Sequence, residues 1–237
     1  MNAHATTAMP QGKQSMDTAM YVEARNLMVD DQLRPSEITD SRILDIMRSL
    51  PRELCVKPEL RNAAYADTSL PLAQGRVLPQ PLLTARLVQA AQPSANQRVL
   101  VVGASTGYTA ALFARLGLNV IALESNPELA QVGQTFCQTY APTVSWHQGP
   151  LPKGLTESAP YDLIYFDGCI AAFPTFCNDQ LAADGRIIGL LQASGSLPEA
   201  FLAIQEAGYS QQFRVTYLFE AQAPLLPNIA PERAFSF

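Results

Sequence analysis

The run Val99-Leu-Val-Val-Gly-Ala-Ser-Thr-Gly-Tyr108, continuing through Leu116 to Val120-Ile-Ala-Leu-Glu124, constrains this chain more than any other stretch. One hydrophobic segment stops at Gly103, a helical pattern begins at Gly107, and a second hydrophobic segment ends in the carboxylate of Glu124. Strand, glycine turn, helix, strand and acid make one βαβ unit with a nucleotide-type site at its carboxyl edge. Glycines let backbone approach a ligand closely, and a helix start offers unpaired N–H groups. Glu124, at the tip of the second strand, is placed to accept both hydroxyls of a ribose. It follows Gly103 by about 20 positions, the separation such a unit takes. Thr106 is either a hydrogen-bond donor at the turn or a helix N-cap. Gly103-Ala-Ser-Thr-Gly-Tyr does not supply the G-x-G-x-x-G of nicotinamide enzymes, and the Gly-Lys-Ser/Thr of a phosphate loop is missing.

The rest of the chain extends this unit. From Arg98, strands are read at 98–102, 119–123, 143–147, 161–166 and 185–191, alternating with helices at 107–116, 127–140, 172–182 and 197–207. Asn126-Pro127 is an N-cap followed by proline at the first helical position. Gly208 caps the last helix, and 211–219 alternates as a strand. The result is an α/β, doubly wound, mostly parallel sheet covered on both faces, with ligands expected at the strands' carboxyl ends. Upstream, apolar residues at helical spacing mark 20–33, and a second helix starts near Thr39-Asp40 and stops at Pro51. Residues 52–81 carry Pro58, Pro71, Pro79 and Pro81 and form a long connection expected to lie over the site. The organisation is a disordered tail at 1–19, a helical and loop region at 20–97 covering the site, a core at 98–220, and an irregular tail at 221–237.

Composition narrows the function. Hydrophobic residues are 48% and charged residues 16% of the chain, so it packs a core. A net charge of −5 and a pI of about 5.0 argue against a nucleic-acid partner held by phosphate contacts. No stretch reaches the ~20 apolar residues of a membrane span, and residues 1–19 lack the basic start and apolar core of a secretion signal. Cys55, Cys137, Cys169 and Cys177 form no C-x-x-C pair, and His4 and His147 add little, so no metal site is expected. The cysteines read as buried small hydrophobes in a reducing compartment, and the chain as cytoplasmic.

Residues 28–44, then Pro51-Arg-Glu-Leu and Tyr65-Ala-Asp-Thr-Ser-Leu-Pro-Leu72, resemble the N-terminal region of the protein-L-isoaspartate O-methyltransferases. That family carries a glutamine-leucine, an isoleucine-threonine-aspartate helix start and a tyrosine-alanine-aspartate turn in this order. The βαβ unit and Ala159-Pro-Tyr-Asp-Leu-Ile164 match the same family, over roughly residues 20–220. The resemblance implies a class I, Rossmann-like sheet of seven strands with one antiparallel. It implies S-adenosylmethionine as cofactor and the carboxylate of isoaspartyl residues in damaged proteins as methyl acceptor. It also implies cofactor contacts at Gly103, Ala104, Ser105, Thr106, Gly107, Glu124, Ser125, Gln148, Gly149 and Asp167, with Glu124 the ribose acid.

Four positions depart from the family pattern. Ser105 replaces the middle glycine, Val101 an acid that helps hold the cofactor's ammonium end, and Gln148 an aspartate associated with the adenine. Together these weaken binding by about 3–4 kcal/mol, a few hundred-fold. In Leu78-Pro79-Gln80-Pro81, Pro79 stands where the family has a serine that contacts the reacting carboxylate, so no catalytic residue is assignable there; neighbouring Gln80 is a candidate substitute donor. A carboxylate is already ionised at neutral pH, so its methylation needs positioning rather than a base. Asp167 is delivered to the ligand edge by its strand, where the family has an uncharged residue; a turn with Gly168 is the alternative role. Asp162 reads as structural, and Trp146, His147 and Tyr108 as either purine-packing or core residues.

Two other readings stay open. One is a catalytically inactive descendant that keeps the fold as a binding or interaction module, motivated by Val101, Ser105, Gln148 and Pro79. The other is a methyltransferase with a different acceptor, motivated by Asp167 and Pro79. The oligomeric state is not legible.

Overall fold

A computed structural model describes residues 11–205 and 213–229. Helix α1 (Gln11–Leu27) continues into a wider π-helical turn (Met28–Leu33), and α2 (Ser41–Ser49) follows. The first helix therefore begins at Gln11, inside the segment expected to be a tail, while residues 1–10 lie outside the described residues. The Asp40 side chain caps α2 through the Arg42 amide. In the 52–81 connection, short 3₁₀ turns lead to a two-stranded antiparallel hairpin, β1 (Leu70–Pro71) and β2 (Val77–Leu78), which the sequence reading missed. The Arg25 guanidinium, bonded to Glu53 and to the Tyr65 hydroxyl at 3.0 Å, ties α1 to this connection. Helix α3 (Pro81–Ala90) then leads into the core.

The core is one sheet: β3 (Arg98–Val102), β4 (Asn119–Glu124), β5 (Ser145–Gln148), β6 (Tyr161–Ile170), β7 (Leu181–Leu191), β8 (Glu199–Gln205) and β9 (Phe213–Glu220). It has seven strands in the order β5-β4-β3-β6-β7-β8-β9. Strands β3 to β7 are parallel, and β8 runs antiparallel to both β7 and β9. This is the doubly wound sheet with one antiparallel strand. Alternation along β3 sends Val99 and Val101 into the core on one face and Leu100 and Val102 into the core on the other. Val101 is thus a buried packing residue.

Helices α4 (Tyr108–Arg115) and α5 (Pro127–Tyr140) lie close to the sequence reading. Asn126 caps α5 by accepting from the Glu128 and Leu129 amides. Two expectations fail beyond β6. The helix expected at 172–182 shrinks to α6 (Phe176–Gln180), because Leu181 already pairs with Tyr161 in the sheet. The helix expected at 197–207 is strand β8: Leu202 pairs Ile188, and Phe201 and Ala203 are buried between neighbouring strands. Its residues favour helix locally, and partner strands on both sides override that preference. Gly208 lies outside the described residues. Residues 221–229 after β9 are irregular, and Leu226 and Ile229 are buried in the sheet's second core; residues 230–237 of the expected tail lie outside the described residues.

Candidate active site

The chain builds outward from β3 through β4 to β5, then returns to place β6 on the other side of β3. The winding direction reverses between β3 and β6, which is where ligands enter such sheets. Three strand tips meet there: Gly103 after β3, Glu124 ending β4, and Asp167 within β6.

The turn after β3 is held open by conformation. Gly103 and Gly107 take φ of +73° and +85°, and Ser105 takes +53°. Ser105 therefore adopts the left-handed backbone of the glycine it replaces, at a cost of about 1–2 kcal/mol. A side chain at Gly107 has no room: a Cβ there would lie 2.9 Å from the Gly133 carbonyl oxygen. Thr106 does not cap α4; its buried hydroxyl has no hydrogen-bond partner among the described residues.

Glu124 is 0% exposed. Its Oε2 accepts from the Ser105 amide at 2.7 Å, and its Oε1 from the Ser125 and Asn126 amides at 2.9 Å each. The carboxylate thus binds the glycine turn to the start of α5. A fourth partner was invisible in the sequence. Arg76, 4% exposed, leaves the β1–β2 hairpin and sets Nη1 against Glu124 at 3.1 Å. Its Nη2 donates to the Gly103 carbonyl at 2.8 Å and reaches the Asp167 carbonyl at 3.5 Å. One guanidinium bridges all three strand tips.

Asp167, 6% exposed, accepts from the Thr109 hydroxyl at 3.3 Å. Burial pushes its carboxyl up to about 7, against the opposing pull of Arg76. It is therefore partly protonated at neutral pH. Above Gly103 sits Leu226: its Cδ2 lies 2.7 Å from where a Cβ on Gly103 would stand and 2.6 Å from the equivalent point on Gly168. Leu226 is anchored because its amide donates to the Cys169 carbonyl at 2.8 Å and the Cys169 amide donates to Pro224 at 3.1 Å.

The other sequence candidates divide. Gln148 is exposed at the tip of β5, in register with Glu124, and the Gly149 amide donates to the Glu124 carbonyl at 3.0 Å. Ala104 is buried in the turn. Half-buried Trp146 packs an edge of its ring on Gly133 of α5, and Tyr108 is buried with the Arg52 guanidinium 5.1 Å from its ring centroid, so Tyr108 is a core residue. His147 is half-buried in edge strand β5. Asp162 accepts from the Arg98 amide at 2.7 Å, the structural role expected of it. Pro79 is buried, and its carbonyl accepts from Arg52, itself fully buried. Gln80 lines an open polar cleft of about 520 Å³ with Thr68, Ser69, Gln192 and Gln222.

Comparison with known proteins agrees with this architecture. The family model described as protein-L-isoaspartate(D-aspartate) O-methyltransferase (PCMT) matches residues 23–210. A protein-L-isoaspartate O-methyltransferase from Koribacter versatilis is 34% identical over 202 residues, 85% of this chain and 90% of that one. One from Methylorubrum extorquens is 36% identical over 166 residues, 70% of this chain and 73% of that one. A solved protein-L-isoaspartate O-methyltransferase superposes with a TM-score of 0.75 at 22% identity, over 86% of this chain and 66% of that chain. A putative Plasmodium falciparum enzyme of the same name, solved with S-adenosyl-L-homocysteine, gives 0.71 at 17% identity, over 85% and 97%. The chain belongs to the protein-L-isoaspartate(D-aspartate) O-methyltransferase family.

Proposed function

We propose that the protein uses S-adenosylmethionine to methylate the carboxylate of isoaspartyl residues in damaged proteins. The observation that carries this reading is Glu124: a buried carboxylate on the strand tip beside the switch point, held against a turn that keeps a glycine-like backbone even at Ser105.

The frame fits that cofactor. Glu124 is the acceptor for the ribose hydroxyls, the Gly103–Gly107 backbone admits the methionine portion, and Gln148 with Gly149 stand on the neighbouring tip for the adenine. When bound, the cofactor supplies a methyl group on a positively charged sulfonium, open to attack by a carboxylate. The residues of this chain orient the two partners and exclude water. The buried cluster of Arg52, Tyr108 and the Pro79 carbonyl fixes the floor beside Gln80. Gln80, facing the polar cleft, is the donor for the acceptor carboxylate in place of the family's serine. No base is assigned, because the nucleophile is ionised. Four buried, unbridged cysteines support a cytoplasmic location, and no helix of the described residues is long and apolar enough to cross a membrane.

One observation favours a second reading, a catalytically silent binding protein: Arg76 pairs with the Glu124 carboxylate and the Leu226 side chain covers Gly103. The test is transfer of labelled methyl from S-adenosylmethionine to an isoaspartyl peptide, read as base-labile ester. Transfer to this peptide and not to its aspartyl isomer is expected. Absence of transfer at about 1 mM cofactor, well above ordinary working affinities, overturns the catalytic reading.

A further inference from the structure

We propose that Arg76 and Leu226 form a latch that closes the cofactor site, and that ligand enters only when the Arg76–Glu124 pair opens. The inference rests on the cofactor reading above and adds the control of that same site.

The carboxylate is saturated. It receives three backbone N–H groups and Arg76, whose Nη1 lies 3.3 Å from Oε1 and 3.1 Å from Oε2. An ionised carboxyl offers about four acceptor positions. A ribose diol brings two more donors, and Arg76, which contacts both carboxylate oxygens, occupies a position on each that the diol would take. The three amides are fixed in the glycine turn and at the start of α5. Arg76 is the partner that can go.

Its position suits departure. The hairpin that carries it is a short excursion with exposed Gln74 and Gly75 at its turn, and its strands are two residues each. Its backbone is closed by the Leu72 amide on the Arg76 carbonyl at 2.8 Å and the Arg76 amide on Ala73 at 3.1 Å. A guanidinium released to water is hydrated at once, and Glu124 left behind keeps its three amide donors. The closed and open arrangements both satisfy the charges, which is what a switchable pair requires.

Leu226 completes the closure from the other side. Its side chain covers Gly103, the first glycine of the turn, and Gly168 in β6. Residues 224–226 run beside β6 through the two hydrogen bonds to Cys169, in an isolated parallel bridge rather than a full strand. The hairpin supplies the polar half of the latch and the C-terminal segment supplies the apolar half.

The test is calorimetric titration of the full chain with S-adenosylhomocysteine, comparing the native sequence with Arg76→Ala, Arg76→Gln and Leu226→Ala. Arg76→Gln loses the charge but keeps an amide donor, and circular dichroism verifies that each variant is folded. Arg76→Ala and Arg76→Gln are expected to bind about tenfold tighter or better, and Leu226→Ala to bind tighter as well. Adding Glu124→Gln to Arg76→Gln is expected to remove the gain, which ties it to the ribose acid. Equal affinity within about twofold for the native and Arg76 forms overturns the latch and leaves the cofactor reading standing. Weaker binding by the Arg76 variants also overturns it, because Arg76 would then hold the ligand. No heat from any folded form at about 1 mM ligand overturns the cofactor reading, and the latch with it.

Discussion

Replacing Glu124 by alanine tests the load this one carboxylate carries. The substitution leaves the Arg76 guanidinium buried with only the neutral Gly103 and Asp167 carbonyls as partners. It also strands the amides of Ser105, Ser125 and Asn126. Breaking a buried ion pair from one side costs about 3–5 kcal/mol, and each orphaned buried donor about 1–3 kcal/mol. These costs do not add, because the hairpin can release Arg76 and water can enter the gap it leaves. The expected loss is about 4 kcal/mol, a large share of a typical 5–15 kcal/mol. The converse change, Arg76→Ala, leaves Glu124 with its three amide donors and is expected to cost only about 1–2 kcal/mol. In the double variant part of the Glu124 loss is recovered, since no buried cation remains. Urea denaturation of the four forms, with midpoints compared at constant slope, measures all three quantities. If Glu124→Ala costs under about 1 kcal/mol, or no more than Arg76→Ala, the carboxylate does not hold the turn as described.

Asp167 makes stability depend on pH in an unusual direction. Its carboxyl sits at about 7 in the fold against an ordinary 3.8, so between those values the folded state binds more protons than the unfolded one. Stability therefore falls as pH rises through this window and levels off above it, by about 4 kcal/mol at most. Asp167→Asn is expected to flatten that slope and to melt higher than the native form at pH of about 8; parallel pH profiles of the melting temperature would count against a buried, partly protonated Asp167. Gly107→Ala forces an alanine to φ +85° and places its Cβ against the Gly133 carbonyl and the Cys137 sulfur. The expected cost is about 3 kcal/mol, or roughly 6–12 °C in melting temperature, and an unchanged melting temperature would show that the turn relaxes freely.

Periodicity and caps place the frame of the site. The apolar run ending at Gly103, the Asn126-Pro127 helix start and the acid at Glu124 are local signals, and the structure puts all three at one edge. What escaped depends on contacts distant in sequence. Arg76 lies in a proline-rich connection without periodicity, and the hairpin that aims it has two-residue strands too short to leave a pattern. A lone arginine between a glycine and the apolar pair Val77-Leu78 was the available signal. Leu226 is one of an apolar doublet in a proline-containing stretch after β9; that it fills the core beside β6 follows from the sheet, not from its neighbours. Strand β8 was lost for the same reason: its helix-forming residues yield to pairing with β7 and β9. Val101 packs the core, and Ser105 keeps the backbone of a glycine.

The most direct measurement is a crystal structure of the Arg76→Gln form with S-adenosylhomocysteine. Both ribose hydroxyls are expected on Glu124, with the Gly103–Gly107 backbone unmoved and Leu226 displaced from above Gly103. Ligand bound elsewhere, or ligand in this cleft with Glu124 making no contact to it, would contradict the assignment of this edge as the cofactor site.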